Sequence, residues 1–162
     1  MKSVEHLLTL ALLMTLGACA SAPEIAKKPV DPVPQVAGAP VNPQAQAAFG
    51  AARAHLRAGR TADAERGFRD VIARHPELGG AHANLGLILR HAGKHDESIA
   101  ALEQAVKVSP KQPVFHNQLG VSYRHKGEFQ KARNAYEQAI ALDDNYADAH
   151  LNPGVLRGLY VG

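Results

Sequence analysis

Between residues 45 and 142 the chain repeats itself every 34 residues. Gly59, Gly93 and Gly127 keep that step, as do His82, His116 and His150. So do the pairs Leu85 and Leu119, Gly86 and Gly120, and Pro76 and Pro110. Whole phrases recur: AHANLGLILRHAGK at 81–94, FHNQLGVSYRHKGE at 115–128 and AHLNPGVLR at 149–157. A fixed period of this size marks one supersecondary unit stacked on copies of itself, so each unit buries its apolar face mainly against its neighbours.

Within the middle unit, Leu85, Gly86 and Leu89 recur at helical spacing before the breaker Ala92-Gly93-Lys94. Ile99, Leu102, Ala105 and Val106 then form a second apolar face that stops at Ser109-Pro110. Such punctuation reads as helix–turn–helix. Carried through the register, it predicts helices at 44–58, 62–74, 80–92, 96–108, 114–126 and 129–142, with a seventh helical stretch at 147–160. Small residues stand where the paired backbones must approach: Gly86 and Gly120 in first helices, Ala64, Ala105, Ala132 and Ala139 in second ones. Gly50 and Gly67 fall inside predicted helices, each at a cost of about 1 kcal/mol against alanine, so the first unit is expected to be the least stable.

These residues resemble the tetratricopeptide repeat (TPR) family, whose 34-residue pattern runs Leu-Gly, an aromatic, Ala, an aromatic, Ala and Pro. The third unit carries Leu119, Gly120, Tyr123, Ala132, Tyr136 and Ala139; the second carries Leu85, Gly86, Leu89, Ser98, Leu102, Ala105 and Pro110. In the first unit Ala51-Ala52 replace Leu-Gly while Ala64, Phe68 and Pro76 match; Val71 and Asp144 depart from the pattern. The resemblance implies an all-α solenoid of helix–turn–helix units, with repeats at about 45–78, 79–112 and 113–146 and a partial or capping unit at 147–162. Pro153 stands where other copies have Leu85 and Leu119, so a kink or early stop is expected there. Leu156, Leu159, Tyr160 and Val161 would then be half exposed, which makes self-association through this last helix plausible.

Residues 1–18 read as a signal segment: Lys2 precedes the apolar run Leu7–Leu16, too short to span a bilayer, and Leu16-Gly17-Ala18-Cys19 follows. That ending resembles the bacterial lipoprotein signal and implies a covalent lipid on Cys19, with cleavage after Ala18. Several acyl chains, each buried methylene adding about 0.8 kcal/mol, would anchor the protein in a membrane. In the resembling lipoproteins Ala20 implies the outer membrane, facing the periplasm. Cys19 is the sole cysteine, so no intramolecular disulfide can form. Residues 19–43 contain Pro23, Pro29, Pro32, Pro34 and Pro40 and are expected to be a disordered, extended tether of about 3.1 Å per residue, standing the repeats (44–160) off the membrane.

The formal charge of +3 and the absence of Trp argue against a nucleic-acid partner, which wants a concentrated basic stripe and stacking aromatics. In TPR proteins the first helices line a concave groove that takes peptides or partner helices. By register, the resemblance places Phe49, Arg53, Leu56 and Arg57 there, with Ala83, Asn84, Leu87, Arg90 and His91 from the second unit. Asn117, Gln118, Val121, Arg124 and His125 come from the third. Arginine, histidine and amide side chains suit an extended, carboxylate-bearing segment. One TPR subclass clamps a C-terminal carboxylate, but of its positions only Asn84 matches; Phe49, Arg53, Val114 and Gln118 occupy the rest.

Nine histidines raise the question of metal. Equivalent positions on stacked repeats lie about 8–10 Å apart, whereas one zinc needs its nitrogens within about 2.1 Å, so phasing accounts for them without a ligand. Across the Gly93 turn, His91 with His95 is the best remaining pair. Histidine protonation near pH 6 is expected to make the groove more positive. No nucleophile–base set or phosphate-binding loop is present: Ser98 and Ser122 hold repeat positions, Ser109 a helix stop, and Asp143-Asp144 a turn. The expectation is a non-enzymatic, membrane-anchored adaptor without cofactor, binding a protein of an envelope assembly or transport machine, like the small TPR lipoproteins of pilus or secretin assembly. The alternatives are an accessory that recruits cell-wall enzymes and a His-rich metal-binding protein.

Overall fold

A computed structural model describes residues 30–33 and 42–143. The signal segment with Cys19, and the predicted seventh helix with Pro153 and Tyr160, lie outside the described residues. The described part holds six helices: α1 (Pro43–Arg57), α2 (Thr61–Arg74), α3 (Gly79–His91), α4 (His95–Val108), α5 (Pro113–Lys126) and α6 (Phe129–Leu142). Each packs on the next in sequence, and α3 also meets α5. The all-α stack of helix pairs expected from the period is what forms.

Local chemistry fixes the joints. At the start of α1 the Asn42 side chain accepts from the Gln44 amide at 2.9 Å, and Pro43 supplies a pre-set φ at the first helical position. Each pair turns through a glycine at positive φ: 73° at Gly59, 78° at Gly93 and 82° at Gly127. The amide following each glycine reaches back to a carbonyl five residues earlier, Arg60 to His55, Lys94 to Leu89 and Glu128 to Tyr123, all at 2.9 Å. This closes the helix end without a side-chain cap.

Between units, His82 and His116 do the same job in register. Their Nε2 atoms lie 2.9 and 2.7 Å from the carbonyls of Pro76 and Pro110. A carbonyl only accepts, so each Nε2 is the protonated nitrogen. These shared histidines therefore tie inter-repeat loops to first helices, a structural use of the periodic position.

The seam of each pair depends on a missing Cβ. A Cβ on Gly86 would meet Leu102 Cγ at 2.6 Å, and one on Gly120 would run into the Tyr136 ring. In the first pair the exchange is reversed: Ala52 stands in the glycine register, and Gly67 stands where the other units have Ala101 and Ala135. A Cβ on Gly67 would lie 2.9 Å from Ala52 Cβ. Gly67 is thus demanded by packing, and the sequence reading that made it only a propensity cost is corrected. Nothing lies within 4 Å of a Cβ on Gly50, which is exposed.

Urea unfolding separates the two glycines. Gly50→Ala should stabilise by about 0.5–1 kcal/mol. Gly67→Ala should destabilise by about 1–3 kcal/mol through overpacking, and adding Ala52→Gly should recover most of the loss. If Gly67→Ala stabilises as much as Gly50→Ala, the exchanged seam is wrong.

Candidate functional site

The first helices α1, α3 and α5 carry the residues expected to line a groove. Their placement divides by register. Phe49, Ala83 and Asn117 occupy one repeat position and are all buried, at 2%, 0% and 3% exposure. Phe49 packs its ring 5.8 Å from that of Phe68, so it belongs to the core and does not line the groove. Leu56 is likewise buried. The position faces inward in every unit, which the alignment on clamp positions did not reveal. Arg57, His91 and His125 share the outermost position and are exposed, while Arg53, Gln118, Val121 and Arg124 are half-buried.

Asn84 is wholly buried, and what buries it was not expected. Residues 30–33, part of the stretch read as a free tether, lie against α3. The Asn84 Oδ1 accepts from the Val33 amide at 2.8 Å, and Nδ2 donates to the Val33 carbonyl at 2.8 Å. The second Nδ2 hydrogen goes to the Gly80 carbonyl one turn back, also at 2.8 Å. This set fixes which end of the amide is oxygen, because the Val33 N–H must meet an acceptor and both carbonyls must meet a donor. With both donors and one acceptor engaged, a buried helix-interior asparagine carries no unsatisfied polar cost.

The valines finish the contact. Val30 and Val33 are buried in one apolar cluster with Ala83, Leu87 and the rest of the core, while Asp31 between them is exposed and Pro32 is half-buried. Burying a valine contributes about 1.5–3 kcal/mol, and each of the two amide bonds about 0.5–1.5 kcal/mol. Ordering four residues costs about 1–2 kcal/mol each, less where proline already fixes φ. The gain exceeds the cost by no more than a few kcal/mol, so the segment is held in place but stays exchangeable.

C-terminal to Asn84 the face is polar and held by a network. Arg90 Nη2 donates to Gln118 Oε1 at 2.8 Å, and Nη1 to the Gln118 carbonyl and Ser122 Oγ at 3.2 and 3.3 Å. Ser122 Oγ lies 2.9 Å from Ser98 Oγ, which donates to the Gly86 carbonyl at 2.8 Å. Arg90 and Gln118, both expected at a ligand, instead bind each other and join α3, α4 and α5 through the two serines. Burial pushes Arg90 down to about 10, with Tyr136 opposing and Arg124 adding to the shift; it stays charged at neutral pH. Arg53 stacks over Phe49, 5.7 Å from the ring centroid, and its buried Nε makes no hydrogen bond among the described residues.

The histidines regroup as well. His95 stacks on His125, with ring centroids 5.7 Å apart. Among the described residues no three metal-ligating side chains come together. A cleft of about 570 Å³ lies elsewhere, between α1 and α2, lined by small residues such as Ala48 and Ala51 and by the ionic side chains of Asp63 and Arg66.

His125 is held below its ordinary value, first by burial and then by Arg90, Arg124, His95 and His91. Its charge therefore arrives at lower pH than the expected value near 6. A depressed histidine favours the neutral form, so its contribution to stability is complete above the unfolded value of about 6.5 and is lost as pH falls through the lower folded one. Between pH 7.5 and 5 the melting temperature of the parent should fall more than that of His125→Gln; superimposable curves contradict this.

Two family models of the tetratricopeptide repeat match the chain, one over residues 42–114 and the other over 113–146. No curated protein matches the chain. Among solved structures, the chain is similar to the TPR domain of Sgt2 from Aspergillus fumigatus, at 17% identity and a TM-score of 0.67, covering 72% of this chain and 78% of that one. It is similar to MamA at 20% identity and 0.66, covering 69% and 66%. The first TPR of Spaghetti (RPAP3), bound to the HSP90 peptide SRMEEVD, aligns at 14% identity and 0.71, covering 77% and 100%. At these identities the likenesses speak for the fold.

Proposed function

This chain belongs to the tetratricopeptide-repeat family, and we propose that it is a lipid-anchored adaptor of a bacterial envelope that catalyses nothing and holds an extended segment of a protein partner against α3. The single observation that carries the reading is the grip of Asn84 on both backbone groups of Val33. A side-chain amide that takes the N–H and the C=O of one residue recognises any extended chain, and the apolar surface around it selects the side chains. A solved relative whose structure contains a bound peptide supports the same use of this fold. The anchor and the envelope address rest on the Leu16-Gly17-Ala18-Cys19 signal, and a partner in an assembly or transport machine on the likeness to small TPR lipoproteins. The carboxylate-clamp mode has no footing: Phe49 is core and Arg53 stands over it.

In-cell photocrosslinking from Val121, half-buried on α5, tests this directly. The expected result is crosslinks to one envelope complex that disappear in Cys19→Ser. Crosslinks that survive Cys19→Ser unchanged would remove the anchor from the account. Crosslinks to cell-wall hydrolases would change the partner class, and none to another protein would remove the groove.

A further inference from the structure

We propose that residues 30–33 are a built-in ligand of the groove, occupying the site until a partner segment of the same chemistry displaces them. The inference rests on the groove being the partner site and specifies what that site reads. Its ligand is an extended, proline-spaced chain with branched aliphatic side chains three residues apart.

The sequence of the segment supplies the shape. Pro32 and Pro34 bias Asp31 and Val33 away from helix, and Pro29 and Pro32 fix their own φ, so 29–33 favour the polyproline conformation. That helix has three residues per turn, which puts residues i and i+3 on one edge. Val30 and Val33 are so spaced, and both are buried while Asp31 faces solvent. Valine also stands at position 36, continuing the step in sequence. The stretch thus presents one aliphatic edge, and Asn84 reads the backbone of its buried residue Val33.

Among the described residues Asn84 is also the one in its register able to do this. The equivalent residues are Gly50, with no side chain, and Gln118, whose amide is engaged by Arg90. Recognition is therefore centred on the second unit, where the segment lies. Being on the same chain, the segment competes at an effective concentration of roughly millimolar, so a partner must exceed it or arrive multivalently.

The test uses the full chain with Cys19→Ser and a fluorescent peptide of residues 28–36, KPVDPVPQV, read by anisotropy. The parent should bind this probe weakly because its own segment fills the site. Val30→Asp with Val33→Asp should empty the site and tighten probe binding by roughly tenfold or more, as expected on removing a tethered competitor. Adding Asn84→Ala should return binding to the parent level or below. Both valines lie outside the helices, and circular dichroism melts of the double variant should keep the helical transition. Equal binding by parent and double variant, or binding by neither, overturns the proposal. Partner crosslinks from Val121 make no use of the probe. Their persistence would leave the adaptor reading standing if the built-in ligand fails, and their loss beside a successful probe would sink the adaptor and with it the displacement by a partner, leaving only the intramolecular contact.

Discussion

Two helices can cross at backbone distance only where one of them lacks a Cβ, and the rest of this structure depends on that closeness. Gly86 lets α3 settle on Leu102, Gly120 lets α5 settle on Tyr136, and Gly67 makes room for Ala52. Each seam sets the angle and spacing of a pair. The shared turn and the histidine tie to the Pro76 or Pro110 carbonyl then set one pair against the next. Only with those spacings fixed do α1, α3 and α5 line up as one face. A larger residue at a single seam would move a helix and the groove with it.

That face is uneven, and the unevenness organises its chemistry. Toward α5 it is braced by a polar chain from Gly86 through Ser98 and Ser122 to Arg90 and Gln118, which spends the most obvious ligand-binding side chains on rigidity. At the centre of α3 it is apolar around one amide. A fully satisfied buried network holds a platform in one arrangement, whereas a single amide in an apolar surround gives a short segment direction without strong affinity. Weak, exchangeable capture of an extended chain is what this combination favours. Should Cys19 carry a lipid, the eleven residue-to-residue steps from it to Val30 would reach about 34 Å at about 3.1 Å per residue, so docking or release of the segment would also change how far the repeats stand from the membrane.

Much of this was legible in the chain. The helices begin and end within one residue of the periodic reading, because Gly59, Gly93, Gly127 and the prolines mark boundaries at fixed steps. The core alanines Ala64, Ala105, Ala132 and Ala139 are buried as their register required. Phe49 was misplaced because register places a residue by its family position and not by its size, and Phe68 offered its ring a partner. Gly67 was read as a defect because its reason is a partner fifteen residues away, visible only once the pair is closed. The docking of 30–33 is hard to read from sequence because its prolines favour an extended chain whether that chain is docked or free. Its signal was present: valines at three-residue steps between prolines, and an asparagine inside an otherwise apolar helix.

The central claim is that Asn84 holds the backbone of Val33 in the groove, and hydrogen exchange at the Val33 amide, followed by NMR on the full chain, measures it most directly. Exchange should be slowed by roughly tenfold or more relative to the same amide in Asn84→Ala, since an amide bonded in a buried site must open before it exchanges. If Val33 exchanges at the same rate in both proteins, the segment does not occupy the groove, and α3 offers only an apolar face to solvent.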